Sequence, residues 1–157
     1  MKSMAKEAEM TKQGMAELYD SDFFEWTQRS AELIRQGRLS EADLEHIAEE
    51  IEDMGKRDRR EVRSRLIVLI EHLLKWQLQP ERRSPSWRDT IVEQRIQLTL
   101  VYEDSPSLRG LAEDELTQIY ARAVGKAVSE TGVAPDKFPS RCPYTEDQIL
   151  ELSFLPD

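Results

Sequence analysis

The run Glu41–Leu78 contains no proline and one glycine, Gly55. Its apolar positions Leu44, Ile47, Ile51 and Met54 recur at intervals of three and four residues, and they resume in phase at Val62, Leu66, Leu69 and Leu73. That spacing puts one apolar stripe along a single amphipathic helix. At about 1.5 Å per residue, roughly 38 residues extend about 57 Å. The shorter helices of the chain cannot each cover that length, so two partners share it end to end or it bends. Gly55 is the candidate for a bend, since glycine costs about 1 kcal/mol against alanine inside a helix.

The remaining elements are arranged around this run. Residues 1–18 lack a strong apolar stripe and read as a flexible N-terminal tail, leaving residues 19–157 as a single helical domain. Asp22 with Glu25 starts a helix whose broad face holds Phe23, Trp26, Leu33 and Ile34, and Gly37 stops it. Ser40 with Asp43 is read as the restart, and the short connection makes these two helices antiparallel neighbours. After Pro80, Ser86 with Asp89 is read as the start of a third helix with Trp87, Ile91, Leu98, Val101 and Tyr102 on its face. Pro106 opens a fourth, carrying Leu108, Leu111, Ala112, Ile119, Tyr120, Ala123 and Ala127 and closing at Gly132. Ala123, Gly125 and Ala127 would allow close helix approach. Pro135, Pro139 and Pro143, interleaved with Phe138 and Tyr144, predict an extended strap. Thr145 with Gln148 caps a short last helix. The fold class is therefore all-α: a bundle of four main helices, one of them a long spine, with a proline-rich C-terminal strap and a short terminal helix.

Charge is unevenly distributed. The net charge of −9 divides into −8 over residues 1–55, +5 over 56–100 and −6 over 101–157. Overall acidity argues against a dedicated nucleic-acid binder, whose footprint is basic. No apolar run approaches the roughly 20 residues of a membrane span, and the expected location is cytoplasmic. Cys142 is the only cysteine, so neither an intrachain disulfide nor a thiolate cluster can form within one chain.

Several short motifs fall in one order along the chain: Tyr19-Asp-Ser-Asp-Phe-Phe-Glu-Trp26, Leu44-Glu-His-Ile-Ala-Glu-Glu-Ile-Glu-Asp-Met-Gly55, Leu73-Leu-Lys-Trp76, Ser86-Trp-Arg88, Ser105-Pro-Ser-Leu108 and Phe138-Pro-Ser-Arg-Cys-Pro-Tyr144. In these the chain resembles a bacterial family catalogued as a domain of unknown function, number 29. The resemblance spans nearly everything from Tyr19 to the C-terminus. It implies an all-helical domain and carries over no activity, cofactor or catalytic residue.

Three constellations stand out. Asp43, His46 and Glu50 lie at spacings of three and four on one side of the long helix, and Asp43-x-x-His46 imitates half of a di-metal carboxylate site. The only other histidine, His72, has Leu69 three residues before it, so the second half is missing and a solvated acidic face is the simpler reading. Arg57, Arg59, Arg60 and Arg63 form a basic face suited to an acidic partner or to phosphate, although nearby Glu and Asp at i−4 favour intrahelical pairs. Asp58 interrupts the apolar stripe. A carboxylate on a packing face needs a partner, and Arg88 or Arg95 from the third helix would make a polar pocket there; the simpler reading is a structural ion pair. Cys142 follows Arg141, a cation that would lower its pKa, but has no histidine near it in sequence to act as a base. No glycine-rich phosphate loop occurs.

No catalytic set, metal or cofactor is specified. The leading reading is a non-enzymatic interaction or adaptor module acting through helix faces on an unidentified protein partner, with a homodimer as one form of it. Nucleic-acid binding by the basic middle of the long helix is the alternative, and a metal-dependent hydrolase at Asp43, His46 and Glu50 is a weaker third.

Overall fold

The computed structural model describes residues 1–157. Its α-helices, in chain order, are α1 (Lys2–Ser21), α2 (Phe23–Arg35), α3 (Leu44–Leu78), α4 (Pro85–Asp104), α5 (Gly110–Thr131) and α6 (Glu146–Leu150), joined by short 3-10 turns and with no strand. The chain is all-α, as its periodicity requires. The four main helices expected from sequence correspond to α2, α3, α4 and α5. Residue contacts divide the chain into two compact units, 1–56 and 57–157, where one domain over 19–157 was expected. The physical basis is visible in α3, whose apolar stripe, interrupted at Asp58, feeds two separate clusters of buried side chains.

In the first unit, Met15, Trp26, Leu33 and Ala42 are buried together, with Leu18, Tyr19 and Ile47 packed against them. Residues 1–18 were expected to be a loose tail; instead the chain is helical from Lys2. Its Ala, Glu, Lys, Met and Gln content has high helix propensity, and the last turns add Met15, Leu18 and Tyr19 to the core. The edge of the Tyr19 ring meets Trp26 at 4.9 Å between centroids. Asp22 caps α2 by accepting from the Glu25 amide at 3.0 Å, and Gly37 adopts φ +69° just past its end, a conformation that favours glycine. Residues Leu39–Glu41 form a 3-10 turn, so α3 begins after Asp43 and not at Ser40. The Asp43 carbonyl accepts from the Ile47 amide at 3.1 Å.

In the second unit, Val62, Leu66, Leu69, Ile70, Leu73 and Leu74 of α3 pack with Ile91, Leu98 and Tyr102 of α4 and Leu111, Ile119 and Ala123 of α5. Each such fully buried aliphatic side chain contributes about 1.5–3 kcal/mol of burial. The α4 N-cap is Ser84, which accepts from the Trp87 amide at 3.3 Å with Pro85 in the first turn, so Ser86 is not the cap. Ala123 and Ala127 are fully buried, whereas Gly125 is exposed and takes no part in packing. Gly132, at φ +70°, ends α5. The strap follows as expected. Phe138 and Tyr144 are buried, the Tyr120 hydroxyl donates to the Pro139 carbonyl at 2.6 Å, and the Tyr144 hydroxyl donates to Gln77 Oε1 at 2.8 Å. Thr145 and Gln148 form the predicted capping box of α6.

Candidate functional site

Helix α3 remains α-helical through Gly55, and every residue from Ile51 to Arg60 is exposed. About three turns of helix therefore hold no buried side chain. Two of these residues are large and apolar: Ile51 is 63% exposed and Met54 60%. Two turns before Ile51 on the same face, Leu44 is 48% exposed, while Ile47, one turn before it, reaches the first-unit core. A helix bared all round is ordinarily polar all round, and this one is not. Residues 44–54 carry Glu45, Glu49, Glu50, Glu52 and Asp53 and no Lys or Arg. Residues 55–65 carry Lys56, Arg57, Arg59, Arg60, Arg63 and Arg65 against Asp58 and Glu61. The charge changes sign at Gly55.

The metal constellation is brought together and then consumed. The His46 ring donates from Nδ1 to the buried Asp43 carboxylate at 2.5 Å. Its face stacks on Tyr19 with centroids 4.0 Å apart. The Tyr19 hydroxyl donates to Glu50 at 2.7 Å. The Asp43 contact raises the His46 pKa, and the hydrogen bond to Glu50 is the chief cause pushing Tyr19 up to about 12. These partners tie α1 to the start of α3, and no group of three or more His, Cys, Asp or Glu side chains is placed to hold a metal ion. His72 lies in the second unit, where its Nδ1 donates to the Val68 carbonyl at 2.8 Å and burial lowers its pKa.

The basic face is partly occupied by an acid from α5. Arg59 reaches Glu115 at 2.9 Å and Arg63 reaches it at 2.6 Å, which holds the Glu115 carboxyl below its ordinary range. Arg57 and Arg60 also have partners within the chain.

The expected pocket of Asp58 with Arg88 or Arg95 does not form. Asp58 is exposed rather than set on a packing face, and Arg88 is exposed beside Trp76 and Arg83 at the start of α4. Arg95 is fully buried, but its guanidinium serves the C-terminal segment. It donates to the carbonyls of Ile149 and Phe154, each at 2.8 Å, of Gln148 at 3.1 Å and of Leu152 at 3.4 Å. Backbone carbonyls at the frayed end of α6 need donors, and a planar five-donor fork can supply several at once. That role leaves no pattern in sequence, because its partners are main-chain atoms.

Two further features escape sequence reading. Glu71 is fully buried in α3, with Lys126 Nζ at 3.3 Å and Lys75 Nζ at 3.7 Å. Lys75 in turn donates to Glu130 at 2.7 Å and stands over the Trp87 ring. Burial and then the neighbouring Glu130 raise the Glu71 pKa. The i,i+4 spacing of Glu71 and Lys75 inside a leucine-rich run was the available signal. The second feature is a groove of about 950 Å³ between α5 and the strap, lined by Leu116, Tyr120, Val124, Phe138 and Cys142 among others. Burial raises the Cys142 pKa, so the lowering expected from its neighbour Arg141 does not occur and the residue stays a thiol.

No helix is long and apolar enough to cross a membrane. A family model described as "Domain of unknown function DUF29" matches residues 18–155, nearly the whole chain. No curated protein and no solved structure matches.

Proposed function

The chain belongs to the DUF29 family, whose description states no activity, and from that premise we propose that it is a non-enzymatic interaction module that docks a protein partner on the exposed part of α3. The observation that carries this reading is the pair Ile51 and Met54, standing open in a stretch of helix whose residues from Ile51 to Arg60 are all exposed. Exposed apolar groups on a rigid helix, rimmed by charge, are the ordinary material of helix-mediated recognition. The polar clusters support the same reading from the other side: Asp43, His46 and Glu50 are engaged with one another or with Tyr19, and Glu71 is sealed from solvent. The proposed setting is the cytoplasm, which suits a chain whose one cysteine is a free thiol.

The test is a photo-crosslinking residue placed at position 54 in the full chain, expressed in its native cells. A protein crosslinked there at native concentration, and lost when Ile51→Asp is added with the helical circular dichroism unchanged, is the expected result. If position 54 crosslinks no protein, neither another chain nor a second copy, the reading is overturned.

A further inference from the structure

We propose that the groove formed by α5 with the strap and the start of α6 docks a short polyproline-type segment of a partner protein, one that carries a large apolar side chain and, three residues away, a Lys or Arg. This goes beyond the docking of a partner on α3. The groove lies wholly within the second unit, and its test does not involve position 54.

Two cavities make up the groove. The larger, of about 950 Å³, has buried Tyr120 and Phe138 in its lining with half-buried Leu116, Val124 and Cys142. The smaller, of about 380 Å³, combines apolar Ala112, Tyr144 and Ile149 with three carboxylates, Glu113, Glu146 and Asp147. Leu116 lines both, so they adjoin. The walls are fixed by bonds within the chain: the Tyr120 hydroxyl donates to the Pro139 carbonyl, and the Tyr144 hydroxyl to Gln77. A groove already in place spares a ligand the cost of ordering it.

The smaller cavity selects the charge. Glu113 stands in the first turn of α5, and Glu146 and Asp147 in that of α6, positions that favour acids singly. Here the three converge on one apolar cavity, and burial, then Glu113 and Asp147, raise the Glu146 pKa. None of these carboxylates is hydrogen-bonded or ion-paired within the chain. Arg109 opposes them only in part, and its guanidinium stands over the Tyr102 ring at 5.6 Å. The Tyr102 hydroxyl is buried without a hydrogen-bond partner, and burial, then Glu146, push its pKa up to about 12. The negative field thus extends from the rim into the core. A Lys or Arg side chain has the matching form, with apolar methylenes for Leu116 and Ile149 and a cation for the carboxylates. The larger cavity has one acid and one base in its lining, Asp136 and Arg141, and so no such excess; it takes the apolar side chain.

Spacing selects the conformation. The larger cavity meets α5 from Leu116 to Val124 and the smaller from Ala112 to Leu116, so their midpoints are six residues apart, about 9 Å along the helix. A polyproline II segment rises about 3.1 Å per residue and turns once in three, which puts residues i and i+3 on one face about 9 Å apart. In a β-strand the same step would send the two side chains to opposite faces. Aromatic-lined grooves are the ordinary receptors of such segments.

NMR titration of the ¹⁵N-labelled full chain tests the proposal. The probes are acetyl-Gly-Phe-Pro-Pro-Lys-Gly-amide and acetyl-Gly-Lys-Pro-Pro-Phe-Gly-amide, one for each chain direction. Saturable shifts in the amides of residues 112–124 and 138–149 are expected with at least one of them, with a Kd of about 1 mM or tighter. Replacing the peptide Lys by Gln should weaken binding about fivefold or more, as should Glu113→Gln with Glu146→Gln and Asp147→Asn. Ala121→Trp, at an exposed position lining the larger cavity, should fill it and weaken binding as well. Circular dichroism confirms the folding of each variant. No saturable shift with either peptide at millimolar concentration overturns the proposal, as does binding indifferent to the peptide Lys or to the three acids.

Discussion

Arg95 carries its charge into the second unit without a carboxylate in hydrogen-bond contact. Its stabilisation comes from carbonyl oxygens of the C-terminal segment. Arg95→Met should remove the donors and leave those carbonyls unsatisfied, lowering stability by about 3 kcal/mol in urea denaturation and speeding proteolysis of residues 148–154. Arg95→Lys should not restore it, because an ammonium cannot span the same set of acceptors. Glu71 presents the opposite case. A carboxyl whose folded pKa is raised costs stability as pH climbs from its ordinary value of 4.5 towards the higher folded one. Glu71→Gln should remove that decline, so that urea denaturation shows the variant gaining on the parent between acid and neutral pH. His46 is raised by Asp43, so its contribution is complete below about 6.5 and is lost as pH rises through the higher folded value. Asp43→Asn should abolish that dependence, followed by denaturation across the same range. The pairing of Asp43 with His46 was legible from their spacing; the carbonyl partners of Arg95 were not, because main-chain acceptors carry no residue identity.

Among the elements, α4 shows how a correct helix can have a misplaced start. Ser84 and Ser86 both precede an acidic or apolar residue at a suitable spacing, and sequence alone favoured Ser86. The choice falls to Ser84 because Pro85 then occupies the first turn, where its missing amide costs nothing. Ser84→Ala should lower stability by about 1 kcal/mol, and Ser86→Ala should change it by less than about 0.5 kcal/mol, both read from thermal or urea unfolding. Helix α1 illustrates the reverse omission. Most of its length has no apolar stripe, so periodicity is silent there, yet helix-favouring side chains and a few contacts near its end are enough.

For the whole molecule, the division into residues 1–56 and 57–157 falls within one unbroken helix. Amides of residues 51–60 have helical hydrogen bonds but no burial, so they should exchange with solvent faster than those of residues 62–75. Hydrogen exchange followed by mass spectrometry checks this. The all-helical class, the positions of α2 to α5, the strap and the capping box of α6 were all present in residue order, because periodicity and capping are local and act within a few residues. Which part of the α3 stripe is covered was decided only by tertiary packing. Leu69 and Ile51 occupy equivalent phases of the same pattern, and one is buried while the other is open; burial depends on what other segments bring alongside, which no local period encodes.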